Sequence, residues 1–164
     1  MNKIRIVLLT MLGIISFSAC EKDDICVDGN TPLLVIGFYD VTDTSLVKPV
    51  PLLVVKGLDG GDTLAVITNK SLESIELPLR PETDNTTFVL SQNPTTEAST
   101  LNEDVITFNY ESKEVFISRA CGFVANYDNL SGTVGADALN WILAIEVKTT
   151  LVANSNETHV KIYH

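Results

Sequence analysis

The sequence predicts an all-β fold: one antiparallel β-sandwich domain, of immunoglobulin-like or Greek-key type, over residues 31–164. Short apolar segments, about nine of them, recur at intervals of roughly 8 to 15 residues and are separated by turn-forming residues. No segment shows convincing helical spacing of apolar residues. Without crossover helices to return the chain, antiparallel pairing is favoured.

The first half of the domain contains a buried strand and a hairpin. Residues 33–39 are apolar at both strand phases, which is typical of a central strand. Residues 40–51 are polar and contain two prolines, so we expect a loop. Residues 52–56 and 63–68 flank the Gly-Gly turn at 58–62, and this pattern predicts a hairpin.

The second half continues with short strands and polar loops. Residues 105–110 alternate, and the polar triplet 111–113 predicts a tight turn into a strand at 115–123. The alternation over 141–149 predicts a strand with Trp141, Leu143, Ile145 and Val147 on its core face. The other expected strands are 74–79, 86–91 and 160–163, and the expected loops are 92–102 and 128–138.

The N-terminal residues predict a cleaved lipoprotein signal peptide over 1–19. Lys3 and Arg5 precede an apolar segment at 6–17, which is shorter than the approximately 20 residues that a membrane-spanning helix needs. Phe17-Ser-Ala-Cys20 resembles the bacterial lipobox, although Leu is more usual at its first position. The resemblance implies diacylglyceryl modification of Cys20 and acylation of its amine, and two or more chains give a stable membrane anchor.

A short acidic segment follows the lipobox. Glu21, Lys22, Asp23 and Asp24 resemble the export tag that follows the lipid cysteine in surface lipoproteins of Bacteroidota. The resemblance implies exposure at the cell surface, on the outer face of the outer membrane. The alternative is a solvated spacer in a protein that faces the periplasm. In either case residues 20–30 form the lipid anchor and an acidic tether.

The charge of the chain argues against nucleic acid as a partner. The sequence holds 11 basic and 21 acidic side chains. Removal of residues 1–19 takes away Lys3 and Arg5, which leaves nine basic and 21 acidic side chains and a formal charge of −12. Nucleic acid and anionic membrane surfaces both require a basic patch, which this composition does not suggest.

The three cysteines predict one disulfide bond. If Cys20 carries lipid, Cys26 and Cys121 are left as an even pair in an oxidising compartment. The bond would close a loop of about 95 residues. In the chain-entropy estimate such a bond stabilises the folded state by roughly 4 to 5 kcal/mol, and strain in the bond lowers this value. The alternative is two unpaired thiols.

The sequence contains no catalytic motif, and we expect no metal and no cofactor. His164, the last residue, is expected to fray, and His159 should point outward if Val160 and Ile162 point inward. Trp141 is either a core residue or a stacking platform for a sugar. Arg119 is either a ligand contact, a buried ion-pair partner or a solvated side chain.

Four segments carry a resemblance to a family of small uncharacterised Bacteroidota lipoproteins with a domain of unknown function: 20–26, 31–40, 119–123 and 140–147. The resemblance implies a β-rich exported domain and implies no activity. We therefore expect a non-catalytic binding or assembly module that contacts a glycan or an envelope protein. The alternative is a glycan-acting hydrolase, which requires two close carboxylates in a concave site.

Overall fold

The computed structural model describes residues 3–5, 26, 30–92 and 102–164. This part of the chain contains a helical stretch at 3–5 and nine strands. The strands are β1 Leu34–Tyr39, β2 Val50–Asp59, β3 Asp62–Leu72, β4 Ser74–Leu77, β5 Asn85–Gln92, β6 Asn102–Ser118, β7 Gly122–Val134, β8 Ala144–Val147 and β9 Val160–Tyr163. The predicted loop at 92–102 lies largely outside the described residues.

The strands form two packed sheets, so the predicted all-β sandwich is confirmed. One sheet has the order β4-β1-β9-β8 and the other β3-β2-β5-β6-β7. Both sheets contribute apolar side chains to a single core, because alternate residues of each strand point toward the opposite sheet. The fully buried aromatic side chains of this core are Phe38, Phe88, Phe108 and Tyr127.

One strand pair differs from the predicted antiparallel pairing. β1 and β9 are parallel, with Ile36 opposite Val160 and Tyr39 opposite Tyr163. The expectation rested on the absence of crossover helices, which are needed only when consecutive strands pair in parallel. β1 and β9 are the first and last described strands, and the whole domain connects them. The buried character predicted for the first strand is confirmed, since β1 lies between β4 and β9.

The hairpin predicted around residues 58–62 is confirmed. β2 and β3 pair up to Asp59 and Asp62, and Gly60 and Gly61 form the two-residue turn between them. Both glycines have positive φ, 59° and 105°. A tight turn that matches the twist of its strands requires such angles, and glycine adopts them without a steric penalty.

The second predicted hairpin is wrong in its turn position. β6 runs without a break through the polar triplet 111–113, whose residues pair with Asp128, Tyr127 and Asn126 of β7. The chain turns instead at 119–121, before Gly122 with φ 70°. The loop predicted at 128–138 is likewise strand as far as Val134. The triplet looked like a turn because it is polar, but a strand exposed on both faces is also polar.

The strand predicted over 141–149 is shorter than expected. β8 covers only Ala144–Val147, where Ile145 and Val147 are half-buried and their neighbours are exposed. Trp141 and Ile142 are both buried, whereas Leu143 is 59% exposed and not in the core. Two adjacent buried residues break the period of two, because the backbone here turns to donate the Ile142 N–H to Asp104.

Both histidine predictions are wrong. His159 is 0% exposed, and its Nδ1 accepts the N–H of Val35 at 3.0 Å. His164 is held by backbone and side-chain contacts: its N–H donates to the carbonyl of Tyr39 at 3.1 Å, and its Nε2 lies 3.0 Å from the carbonyl oxygen of Lys48. The missing information in both cases was the parallel pairing that sets β9 beside β1.

The buried His159 predicts a stability that falls in mild acid. Burial lowers the pKa of His159 below its ordinary value of 6.5, against the opposing effects of Glu157 and the backbone of Asn154. Between the lowered value and 6.5 the unfolded chain binds more protons than the native state, so stability falls as the pH falls through this window.

The matched variant is His159→Asn, whose Oδ1 can still accept the N–H of Val35 but cannot titrate. From pH 7 to pH 5, denaturant unfolding should show a larger loss for the wild type than for the variant. The difference is at most about 1.4 kcal/mol for each pH unit of the window. Burial also lowers the pKa of His164, so the variant should keep part of the pH dependence. Equal losses in the two proteins would contradict the prediction.

Candidate functional site

The candidate site is a two-stranded ribbon of β6 and β7 that extends beyond the end of β5. β5 pairs with β6 only from Asn102 to Asn109, whereas β6 and β7 remain paired as far as Ser118 and Gly122. Residues 111–126 therefore lie beyond the part of β6 that β5 covers, and we call them the distal arm; within it Val124 and Ala125 are buried. Its eight β6 residues span about 26 Å at the usual rise per strand residue.

A β-bulge and two tyrosines hold the base of the distal arm. Asn129 and Leu130 of β7 lie opposite the single residue Tyr110, and Asn129 has φ 55°. The hydroxyl of Tyr110 donates to the carbonyl of Arg80, and that of Tyr127 donates to the carbonyl of Leu79. Burial raises the pKa of Tyr127 to about 12, with smaller effects of Tyr110 and Glu82. This base connects the arm firmly to the core.

The tip of the distal arm is apolar on both faces. Phe116 and Phe123 lie opposite each other on one face, with ring centroids 5.3 Å apart, and are 56% and 65% exposed. Val115 and Ile117, at the other strand phase, are also exposed. Adjacent exposed apolar residues of this kind mark a contact surface more often than scattered single ones do. We call these four residues the apolar tip.

A disulfide joins the apolar tip to the N-terminal segment, in agreement with the predicted pairing. The Sγ atoms of Cys26 and Cys121 are 2.05 Å apart, and Cys121 lies in the turn that closes the arm. The N–H of Cys121 donates to the Ser118 hydroxyl at 3.1 Å. Cys20 and the acidic segment Glu21, Lys22, Asp23 and Asp24 lie outside the described residues, so their predicted roles stay predictions.

Trp141 and Arg119 lie in different environments. Trp141 is 6% exposed, and its Nε1 donates to the carbonyl of Leu90 at 3.2 Å. It is a core residue, and its indole has no open face for stacking on a sugar. Arg119 is exposed in the turn beside Cys121. This excludes the buried ion pair for Arg119, and the ligand contact stays a prediction.

One carboxyl group is buried within the described part of the chain. Asp104 is 1% exposed, and its Oδ2 accepts the N–H of Ile142 at 2.7 Å. Burial raises the pKa of Asp104, and the charge of Asp137 adds to this effect, whereas the backbone N–H groups of Ile142 and Trp141 oppose it. Asp104 supports the segment before β8, and Asp137 itself is exposed.

Two depressions on the surface of the described residues differ in character. A groove of about 360 Å³ between β3 and β4 is lined by Val66, Ile67 and Ile75 among others. An open depression beside Pro81 contains Glu82 and Asp84, which are both exposed. Among the described residues, no three His, Cys, Asp or Glu side chains are grouped to hold a metal ion. The same residues include no helix with the length and apolarity to cross a membrane.

The family model of DUF6452, a family of unknown function, matches residues 52–164. The chain belongs to this family. The DUF6452 match begins within β2 and includes the distal arm, the apolar tip and Cys121, whereas Cys26 and β1 precede it. No curated protein and no solved structure matches the chain.

The apolar tip of this DUF6452 chain was not predicted from the sequence. A usable signal was present, because Val115, Phe116 and Ile117 are three consecutive apolar residues within a predicted hairpin strand. Alternation along a strand prevents all three from facing the same core. The position of the turn at 119–121 was needed to place Phe123 beside them.

Proposed function

We propose that the chain is a lipid-anchored envelope lipoprotein that acts as a non-catalytic binding or assembly module. In this proposal Cys20 carries the lipid, and the acidic tag directs the protein to the cell surface of a bacterium of the Bacteroidota type. The observation that carries the proposal is the disulfide at Cys121, which joins an exposed apolar surface to the segment that begins at Cys20.

The binding function is favoured over the glycan-acting hydrolase by the nature of the exposed surfaces. The apolar tip presents four large side chains to the surroundings, which suits contact rather than chemistry. Glu82 and Asp84 are both exposed in an open depression and not enclosed in a concave site. A hydrolase needs one carboxyl group in an environment that raises its pKa beside another that stays ionised.

The sheet edges of the domain offer a second surface to which an envelope protein or a glycan can bind. β3 is an edge strand in the described sheet, and its Leu64 and Val66 are exposed. An extended segment of a partner can pair with such an edge through backbone hydrogen bonds, and side-chain pockets then add specificity. The groove between β3 and β4 lies beside this edge and supplies apolar lining.

The anchor is tested by two variants of the tether in intact cells of the native host. Cys20→Ser should abolish the lipid mass on the purified protein and release the chain from the membrane fraction. Combined Lys22→Ala, Asp23→Ala and Asp24→Ala should leave the protein lipidated but protect it from added proteinase, whereas the wild type is cleaved.

A matched control replaces one basic and two acidic exposed residues of the folded domain, Lys70→Ala with Glu73→Ala and Glu76→Ala. The control should be cleaved like the wild type, because the same change in charge lies outside the tag. A protected wild type would place the domain in the periplasm and contradict the surface location. An unmodified Cys20 would contradict the anchor itself.

A further inference from the structure

We propose that the apolar tip of the distal arm inserts into the surface of the lipid bilayer that holds Cys20. The proposal rests on the proposed function, since it requires the lipid at Cys20, and it names the binding partner of the apolar tip. The bilayer, rather than a protein groove, is favoured by three observations: the reach of the tether, the exposure of both faces of the tip, and the distribution of charge.

The covalent structure restricts the distance between the tip and the membrane. Cys26 follows Cys20 by only six residues, and a fully extended chain of that length spans about 21 Å. Because Cys26 is bonded to Cys121 with their Cα atoms 4.9 Å apart, Cys121 in the turn of the distal arm lies within about 26 Å of the lipidated residue. The opposite end of β6, at Asn102, lies about 50 Å from the tip along the strand. The tip is therefore the end of β6 whose distance from the lipidated residue is the more tightly restricted.

The shape of the tip suits a medium that surrounds it. Phe116 and Phe123 cover one face of the ribbon, and Val115 and Ile117 are exposed on the other, where only Val124, the partner of Val115, is buried. A protein that docks on one face of a two-stranded ribbon leaves the opposite face in water. The boundary between headgroups and acyl chains surrounds an inserted ribbon and takes up apolar side chains from both faces.

The charge of the arm differs from that of the rest of the domain. Residues 111–126 contain two basic and two acidic side chains, Lys113, Arg119, Glu111 and Glu114, and thus have no net charge. The formal charge of −12 of the mature chain is therefore carried entirely by its other residues. The neutral arm is repelled less by an anionic lipid surface than the acidic sandwich is, although the acidic segment 21–24 precedes the cysteine that is bonded to it, and Arg119 in the turn can contact lipid phosphate.

The test measures the depth of the tip in the bilayer with single tryptophan insertions. The lipidated full-length mature protein is reconstituted into phosphatidylethanolamine and phosphatidylglycerol vesicles, with or without phospholipids brominated on the acyl chains. Phe116→Trp reports the tip. Leu139→Trp is the matched control, because Leu139 is 76% exposed and its carbonyl accepts from Asn102, at the opposite end of β6. Trp141 contributes the same background to both proteins.

We expect the added fluorescence of Phe116→Trp to be quenched about twofold or more by the brominated lipid and shifted to shorter wavelength. The Leu139→Trp signal should be unaffected. Adding Cys26→Ser and Cys121→Ser to Phe116→Trp should weaken the quenching, because the tip is then no longer held near the anchor. Unquenched Phe116→Trp in a chain that is lipidated and bound to vesicles overturns the insertion and leaves the anchor standing. Mass analysis that shows no lipid on Cys20 overturns both proposals, so the two failures are distinguished.

A photoreactive residue at position 123, introduced in cells, separates the bilayer from other partners of the tip. Adducts with phospholipid support the proposal. Adducts with an envelope protein or with a second copy of the chain overturn it, and they assign the apolar tip to a protein interface instead.

Discussion

Replacement of Cys26 and Cys121 together by serine is expected to lower the free energy of unfolding by about 2–4 kcal/mol. The bond joins residues 95 apart in the sequence, so its removal restores much conformational freedom to the unfolded chain. The effect should appear as a lower midpoint in guanidinium unfolding. The Cys26→Ser, Cys121→Ser double variant avoids the unpaired thiol that either single replacement would leave.

The loss should be concentrated in the distal arm. An isolated two-stranded ribbon is marginally stable in water, and Ala125 is the one residue of the arm in the core cluster, so the rest of the arm depends on cross-strand contacts and on the disulfide. Limited proteolysis of the double variant should therefore cut within residues 111–126 before it cuts the sandwich. Reduction of the wild type should reproduce this pattern. A variant with unchanged stability and an uncut arm would contradict the pairing of the two cysteines.

Replacement of Asp104 by alanine is expected to lower the free energy of unfolding by about 1.5–3 kcal/mol. The carboxylate is buried and accepts the N–H of Ile142 at 2.7 Å, and alanine leaves this buried donor without its acceptor. The segment that positions Trp141 and begins β8 should loosen, and Trp141 emission should shift to longer wavelength before global unfolding. An alanine variant as stable as the wild type would show that another acceptor or water reaches Ile142.

Asp104→Asn separates the hydrogen bond from the charge. The asparagine side-chain oxygen can accept the same N–H, so this substitution should lower the free energy of unfolding by less than the alanine substitution does. Burial raises the pKa of Asp104 above its ordinary value of 3.8, so the native state binds protons more tightly than the unfolded chain. Between 3.8 and the raised value, wild-type stability therefore increases as the pH falls. Denaturant unfolding at pH 7 and at pH 4 should show that the free energy of unfolding of the wild type rises relative to that of the Asp104→Asn variant. The same difference between the two proteins at both pH values would contradict the raised pKa.

The fold class could be predicted from the sequence because its evidence is local. Alternation of period two and the Gly-Gly turn after Asp59 depend only on neighbouring residues, and both strand content and the β2–β3 hairpin follow from them. The odd number of cysteines, together with the lipobox, also indicated which two cysteines pair. These features do not depend on which strand lies beside which.

The candidate site depended on pairing that local patterns do not contain. The triplet 111–113 would be polar either as a turn or as an exposed strand. Only its pairing with residues 126–128 of β7 shows that it is a strand. Because the turn lies at 119–121 and not at 111–113, the apolar residues on either side of it lie together at the end of an extended arm. A pattern of period two assigns each of them a face, but it does not say whether a second sheet covers that face.

By itself, the sequence determined an all-β sandwich with a buried first strand and a Gly-Gly hairpin, and it indicated that Cys26 and Cys121 can form a disulfide. The tertiary structure alone decided the parallel β1–β9 pair, the burial of His159 and the exposure of the apolar tip. The physical reason is the sequence separation of the contacts involved. Val35 and His159 are 124 residues apart, and whether a side chain so placed is buried depends on which distant strand the chain brings beside it.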